Sequence, residues 1–384
     1  MKKERRKMRR GGKIALCAVC VIAAMVAVYV GMYFAAVKLS ENGEFKTAQK
    51  LIFAPFVTDL HDPQFTAYLT AGCEMTDNDF AAAKEDFEAL GDYRASKELA
   101  DGMTDREIQY LASQKQYDEA IKLFRQSDNK DLKAQVYYDA GMYYLREAKN
   151  GEKAQQLLTH AQSIGIDVDQ NLFAEAYYQW AVNLTEEESY FEALHCVRQA
   201  QALHSGEYEE AIQLIETITE TMYNKGIEEY RAGRYSEAET WFSNIDKRYK
   251  RCKDYLNLIY ARRKDTQNNR IDFQDLTCMK ELFDFEDTSS ILLTNSLWLN
   301  AFLEGTWHSE GGDYYFTVAH EGNVSCNLPE FGFGDYYRFN NGVYELYRES
   351  DGASQPLFEF TLLSPDSINV YCYQNGRTYT LYRG

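Results

Sequence analysis

Proline is scarce in this sequence of 384 residues: five occur, and none lies between Gln64 and Leu328. Because proline interrupts helix interiors, a proline-free run of that length is typical of packed helices. The composition, 45% hydrophobic and 26% charged, is that of a folded protein and excludes wholesale disorder. A chain of this length is expected to form two or three domains rather than one core.

Signatures of known chemistry are also missing. The sequence has no P-loop, GxGxxG, GxSxG or HExxH motif. Its six histidines lack metal-ligand spacing, and its cysteines form no CxxC pair beyond the N-terminal apolar segment. We therefore expect no catalytic residues, no metal and no cofactor. Most cysteines should be buried and unpaired, although a bridge between Cys326 and Cys372 stays open.

Positive charge is sparse after the first 13 residues. Those residues carry eight Lys or Arg and one Glu, whereas the remainder has 33 basic against 58 acidic residues, a net charge of -25. An acidic body of that size repels polyanions, so nucleic acid is excluded as a partner.

What the sequence does contain begins with an uncharged segment at residues 14–37, behind the basic flank at residues 1–13. At about 1.5 Å per residue it is long enough to cross a hydrocarbon core of about 30 Å. The flank predicts a single-pass anchor in the cytoplasmic membrane, with the N-terminus inside and the bulk of the chain outside. A cleaved signal peptide is the alternative. Its apolar core is usually only about 7–15 residues, and Tyr33 and Phe34 near the end favour an uncleaved anchor.

A repeated pattern fills residues 40–265: an aromatic residue, alanine three positions later, and an apolar residue four positions after that. Its members are Phe45–Ala48, Phe80–Ala83, Tyr117–Ala120, Tyr190–Ala193 and Tyr235–Ala238, with a weaker copy around Ala154. The spacings between the alanines are 35, 37, 34, 39 and 45 residues. Two helices in such a period resemble the tetratricopeptide repeat (TPR) family. The resemblance implies helix pairs that touch at small residues, with Gly141, Ala181 and Gly226 in the first helices. The family's proline is absent.

Tyrosines recur three residues before the small position of the first helix. They are Tyr68, Tyr138, Tyr178 and Tyr223. In the TPR family that position faces a concave groove that binds a protein or peptide, and Tyr230 and Arg231 would fall on the same lining. Rigid aromatic side chains provide contact area at low entropic cost. The alternative interpretation is that these rings only pack the array.

A second recurring element links some of the helices. The segment from Phe87 to Lys97, which contains Leu-Gly-Asp-Tyr, is similar to the segment from Phe242 to Lys253, and Phe285–Thr288 is a shorter echo. It resembles repeats of bacterial membrane-anchored proteins. We expect a turn that ends one helix and starts the next.

The pattern changes after the polar linker Asp265–Arg270 and two closing helices predicted within residues 266–304. Residues 305–384 alternate in polarity between turn signals such as Asn341-Gly342, which predicts about eight antiparallel strands in a meander, closed as a small barrel or folded as a sandwich. The opening Gly305-x-Trp307 and Arg383 on the last strand resemble the lipocalin-like calycins. In that family a basic side chain stacks across the tryptophan ring.

The sequence therefore predicts a multidomain protein, α then β, with two candidate functions. The leading hypothesis is a membrane-anchored scaffold whose extracytoplasmic repeat groove binds a protein or peptide of the cell envelope. The alternative is a ligand sensor whose C-terminal β-domain binds a lipophilic molecule or a glycan, with the repeats as a spacer.

Overall fold

The computed structural model describes residues 2–52, 62–264, 271–319, 324–328, 336–340, 343–347 and 358–384. The predicted linker Asp265–Arg270 and the turns at Asn341-Gly342 lie outside the described residues. The chain divides into two compact units, Met1–Ile215 and Glu216–Gly384. A helical array followed by an antiparallel sheet is thus confirmed.

The first unit is helical throughout its described part. Its helices are α1 (Lys2–Glu41), α2 (Phe45–Ile52), α3 (Pro63–Thr76), α4 (Phe80–Leu90), α5 (Ser96–Asp101), α6 (Met103–Ser113), α7 (Tyr117–Lys122), a 3-10 turn (Leu123–Gln126), α8 (Lys130–Arg146), α9 (Gly151–Ile164), α10 (Gln170–Glu186) and α11 (Tyr190–Leu203). Consecutive helices pack in pairs, α1 with α2, α3 with α4, α8 with α9 and α10 with α11. The next helix, α12 (Glu209–Arg231), contains the boundary between the units.

The second helix of each predicted repeat begins at its aromatic residue. Helices α2, α4, α7 and α11 begin there, as does α13 (Tyr235–Ser243) in the second unit. The alanines of all five repeats are completely buried. The small residue of a first helix also lies against its partner helix: a Cβ added at Gly141 would lie 2.8 Å from Leu158 Cγ.

Helix α1 has two parts with different surroundings. Within its segment Ala15–Glu41, the most apolar window of 18 residues has a mean hydropathy of 2.5, and none of that window is buried. By length and composition it is a helix that could cross a membrane. From Tyr33 onward the same helix packs into the first unit, where Ala36 is 0% and Ser40 3% exposed.

Three turns of one kind restart helices. In each, an aromatic residue precedes a non-glycine residue of positive φ: Arg94 (+51°), Lys250 (+45°) and Glu286 (+46°). The amide two residues further on donates back to the aromatic's carbonyl, as from Ser96 to Tyr93 at 3.0 Å. These are the linking elements that the sequence predicts after Leu90, Ile245 and Leu282.

The second unit combines helices with strands. After α13 come α14 (Cys252–Arg263), α15 (Phe273–Glu281), α16 (Thr288–Thr294), α17 (Ser296–Leu303), β1 (Gly305–Ser309), β2 (Tyr315–Val318), β3 (Val324–Cys326), β4 (Tyr336–Asn340), β5 (Val343–Tyr347), β6 (Phe358–Ser364), β7 (Ser367–Cys372) and β8 (Arg377–Arg383). Helices and strands share one hydrophobic core.

The sheet is antiparallel but open. Six strands run in the order β3-β2-β1-β8-β7-β6, while β4 and β5 pair only with each other among the described strands. The prediction of a closed barrel is therefore wrong for these strands. The physical reason is that the inner face is covered: Trp307 packs against Phe302 of α17 with ring centroids 6.1 Å apart, and its indole donates to the Leu303 carbonyl at 2.8 Å.

Candidate functional site

Three of the six residues predicted to line a groove are buried. Tyr68, Tyr223 and Tyr230 are only 4%, 8% and 3% exposed. A side chain this buried offers almost no contact area to a partner, so in this structure these three rings lie within the helix packing, and their role in a groove stays a prediction.

Tyr68 and Tyr223 instead occupy equivalent places in the joints between helices. The Tyr68 ring meets Phe87 at 5.7 Å and Tyr93 at 6.1 Å, edge-on. In the second unit, Tyr223 meets Phe242 at 5.9 Å and Tyr249 at 5.8 Å in the same manner. Each tyrosine therefore ties its helix to the following helix and to the positive-φ turn. These ring contacts are the ones that the packing interpretation of the tyrosine row expects.

Tyr230 and Arg231 hold the third turn. The Tyr230 hydroxyl donates to Asp287 Oδ1 at 2.6 Å, and Arg231 donates to Glu286 Oε1 at 2.8 Å. That guanidinium is the main reason why the pKa of Glu286 is lowered. The Arg231 side chain is 63% exposed, so it remains on the surface although its charge is paired.

Tyr138 and Tyr178, the other two groove positions, are half-buried on α8 and α10. The Tyr178 ring lies 5.4 Å from Tyr208, which stacks on His204 at 4.4 Å. Burial is the main cause that raises the pKa of Tyr208 to about 12, so its hydroxyl stays protonated at neutral pH. Sequence reasoning missed His204 and Tyr208 because they lie between helices, where no helical spacing marks them.

Helices α8–α10 form a cleft of about 330 Å³. Its lining comes from the α8–α9 turn and the C-terminal half of α10: Ala148, Lys149, Asn150, Glu152, Trp180, Asn183, Leu184 and Glu187. The half-buried indole of Trp180 supplies an apolar wall, and the rim carries both signs of charge. The cleft therefore combines one aromatic ring with amide groups and charges of both signs.

Gly151 explains how the cleft is built. A Cβ added there would lie 2.0 Å from the Trp180 backbone nitrogen and 2.5 Å from the Ala176 carbonyl oxygen. The start of α9 therefore touches the backbone of α10 directly. The Gly151 amide donates to Asn183 Oδ1 at 3.3 Å, and the Asn150 side chain caps α9 by accepting from the Lys153 amide at 3.0 Å.

Two further contacts hold the walls of the cleft. The Tyr177 and Trp180 rings lie parallel on α10, 6.0 Å apart. Lys153 on α9 donates to Asp118 Oδ2 at 2.8 Å and to the Tyr144 hydroxyl at 2.9 Å, which joins α7, α8 and α9. The hydrogen bond from Lys153 is also the main reason why the pKa of Asp118 is lowered. The cleft is thus a preformed surface.

The residues of the calycin-like signature meet in the second unit. The Arg383 guanidinium lies 4.2 Å from the Trp307 ring centroid and donates to the carbonyls of Glu304 and Phe302, at 3.0 Å and 2.5 Å. Burial lowers the pKa of Arg383. Gly305 has a φ of +117°, and a Cβ there would lie 3.6 Å from Arg383. The cluster closes the end of α17 onto the sheet.

The outer face of the sheet carries an aromatic row. His308 on β1 pairs with Tyr315 on β2 and with Tyr382 on β8. The two tyrosines are 37% and 46% exposed, and the next residues on this face are threonines and Asn369.

Reactive groups are few in the described parts of the chain. Cys326 and Cys372 are both free thiols. Burial raises the pKa of Cys196, Cys252 and Cys326 to about 11. These thiols therefore stay protonated at neutral pH, a form that is a poor nucleophile. No group of three or more His, Cys, Asp or Glu side chains among the described residues is placed to hold a metal ion.

Comparison with known proteins identifies no family. No family model matches the sequence, and no curated protein matches it. Solved structures give distant likenesses. The TPR domain of P58(IPK) has 16% identity over 69% of this chain and 76% of that one, with a TM-score of 0.25. The C-terminal part of a TPR repeat-containing protein from Cytophaga hutchinsonii has 16% identity over 58% and 99%, with a TM-score of 0.22. The apo quorum sensor NprR from B. thuringiensis has 14% identity over 68% and 73%, with a TM-score of 0.18. TM-scores this low do not show a shared overall fold. The description of this chain as a helical repeat therefore depends on its own helix pairs.

Proposed function

We propose that this protein is a membrane-tethered scaffold that binds a polypeptide segment of the cell envelope on the outer side of the membrane. The observation that supports the proposal is that one unit contains both a candidate membrane helix and a candidate binding cleft. An exposed apolar helix long enough to span a bilayer runs into a rigid array of helix pairs, and that array contains a preformed cleft beside Trp180. Basic residues before the helix favour an N-terminus inside.

Polypeptide binding suits the cleft because its parts match those of protein-recognition sites. Tryptophan is enriched among the residues that dominate binding energy, and its rigid ring loses little entropy on contact. Lys149, Glu152 and Glu187 supply charges of both signs at the rim, and Asn183 supplies an amide. Tyr138 and Tyr178 stay as a second candidate contact surface on the same helices, while Arg231 belongs to the other unit.

The proposal is tested by affinity capture of partners from native membranes with the full chain as bait. Trp180→Ala should weaken the binding free energy by about 2 kcal/mol, the scale of an interface hot spot, so that the partner is no longer captured. Capture with Tyr178→Ala tests separately whether the second candidate surface, at Tyr138 and Tyr178, contacts the partner. Tyr260→Ala is the matched control, because Tyr260 is an aromatic residue 56% exposed in the other unit. If Trp180→Ala folds normally and retains every partner, the cleft is not the binding site.

A second candidate is glycan binding by the outer face of the sheet. The exposed Tyr315 and Tyr382 flank His308 among neutral hydroxyl and amide side chains, a surface that could stack on sugar rings. A lipophilic ligand is not proposed, because α17 covers the inner face. Tyr315→Thr/Tyr382→Thr should abolish retention on envelope polysaccharide if this function is correct, and should leave capture of a polypeptide unchanged.

A further inference from the structure

The equivalent joints of the two units differ in one charged contact. In the second unit, Lys250 follows Tyr249 and pairs with Glu220, a residue three positions before Tyr223. In the first unit, Arg94 follows Tyr93, but the position three residues before Tyr68 is Phe65. The carboxylate that neutralises the basic residue in one joint is therefore replaced by an aromatic ring in the other.

Arg94 lies on aromatic groups. Its guanidinium carbon is 4.6 Å from the Phe65 ring centroid and 5.5 Å from the Tyr93 ring centroid. Its Nε donates a hydrogen bond to the Tyr93 hydroxyl at 3.4 Å. No carboxylate in the described parts of the chain forms an ion pair with Arg94, and the residue is exposed. Asp62 Oδ2 accepts from the same Tyr93 hydroxyl at 2.7 Å but forms no ion pair with Arg94, so among the described residues the exposed guanidinium is oriented by aromatic groups.

Tyr33 locates that charge relative to the apolar helix. Its ring meets Phe65 edge-on at 5.2 Å, so Tyr33 and Arg94 both contact the Phe65 ring. The next residue, Phe34, is 66% exposed, whereas Ala36 is buried in the repeat core. The 20 residues from Ala15 to Phe34 span about 30 Å, the thickness of a hydrocarbon core. Arg94 therefore falls where the hydrocarbon ends and the phosphates begin.

We propose that the first repeat sits directly on the membrane surface and that Arg94 binds the phosphate of a phospholipid headgroup. This inference rests on the membrane anchor of the proposed function. Because α1 continues without a break into the repeat core, no linker separates the array from the lipid. A planar guanidinium matches the oxygens of a phosphate, and tyrosines such as Tyr33 favour the level of the headgroups. Arg94 would thereby hold the first repeat against the membrane surface.

The test is photocrosslinking of the full chain in nanodiscs of phosphatidylcholine and phosphatidylglycerol. A benzophenone amino acid is placed at Asp92, two residues from Arg94, and phospholipid adducts are measured by mass. We expect adducts at position 92, and Arg94→Gln should lower their yield about fivefold, the effect of one basic residue at an anionic surface. Arg125→Gln, an exposed arginine in the same unit, is the matched control and should leave the yield unchanged.

A probe at Val26 separates the possible failures. Adducts at Val26 without adducts at 92, or adducts at 92 that Arg94→Gln does not reduce, would overturn the proposed headgroup site while the anchor stands. The absence of adducts at Val26 would overturn the anchor itself, and this inference with it. Arg94→Gln should keep the helical circular dichroism of the parent chain, which excludes unfolding as the cause of a loss.

Discussion

Gly151 is the residue on which the shape of the candidate cleft depends most. Its missing side chain lets the first turn of α9 touch the backbone of α10, so the space for a Cβ is already filled by main-chain atoms rather than by a mobile side chain. Gly102 is a contrast, since a Cβ there would meet its nearest neighbour, the Glu98 carbonyl oxygen, at 3.4 Å.

Gly151→Ala should therefore destabilise the chain by about 1–3 kcal/mol, because α9 and α10 must move apart to admit the methyl group. Thermal unfolding of the detergent-solubilised full chain measures the effect. Gly102→Ala is the control and should be close to neutral. Equal midpoints for the two variants would contradict the backbone contact.

A second prediction at this scale concerns the pKa of Tyr208. Burial raises it from 10.0 to about 12. Because the hydroxyl of Tyr208 loses its proton more readily in the unfolded chain, the stability contributed by the buried neutral side chain is complete below about pH 10. That contribution is lost as the pH rises through about 12. The expected slope is at most about 1.4 kcal/mol per pH unit in that window.

Tyr208→Phe removes this titration. Relative to the parent chain, the variant should gain stability between pH 10 and about 12 and show no such gain near neutral pH. Urea unfolding near neutral pH and within the window from pH 10 to about 12 gives the free energies of unfolding to compare, with Tyr260→Phe as the control. A constant difference across the window would mean that Tyr208 does not titrate as its burial requires.

At the scale of elements, the sequence predicts helix starts well where a short pattern of neighbouring residues determines them. The aromatic-x-x-Ala pattern correctly placed the starts of α2, α4, α7, α11 and α13, because a second helix must begin where its aromatic can pack and its alanine can touch. Tyr68 and Tyr223 were counted instead from the small residue of the first helix, and each packs against a tyrosine, Tyr93 or Tyr249, that lies about 25 residues further along the chain. Spacing within one helix cannot reveal such a partner, nor could it reveal the cleft, which depends on two backbones meeting at Gly151.

The contact between Arg383 and α17 gives a prediction at the same scale. Arg383→Gln should cost about 2 kcal/mol, since it removes charge-assisted hydrogen bonds to two carbonyls and the stacking on Trp307. Arg377→Gln, an exposed site on the same strand, should change little. Thermal unfolding followed by tryptophan fluorescence measures both. A loss for Arg377→Gln as large as that for Arg383→Gln would show that charge alone, and not this cluster, sets the stability.

For the whole molecule, the exposed apolar surface of α1 is the dominant property. Ile22→Arg/Val26→Arg places two charges near the middle of the segment, at a cost of about 2.5–3.5 kcal/mol each in a bilayer. The double variant should leave the carbonate-resistant membrane fraction. Thr47→Arg, on the exposed face of α2, is the control and should stay. Continued membrane retention of the double variant would argue against α1 as the span.

Polypeptide binding at the cleft by the tethered chain is the central claim, and crosslinking in intact cells tests it most directly. A benzophenone amino acid at Asn183 should give a discrete polypeptide adduct in the membrane fraction, and Trp180→Ala should remove it. The same probe at Tyr382 reports on the outer face of the sheet. A polypeptide adduct from Tyr382 with none from Asn183 would contradict the account and move the binding function to the sheet.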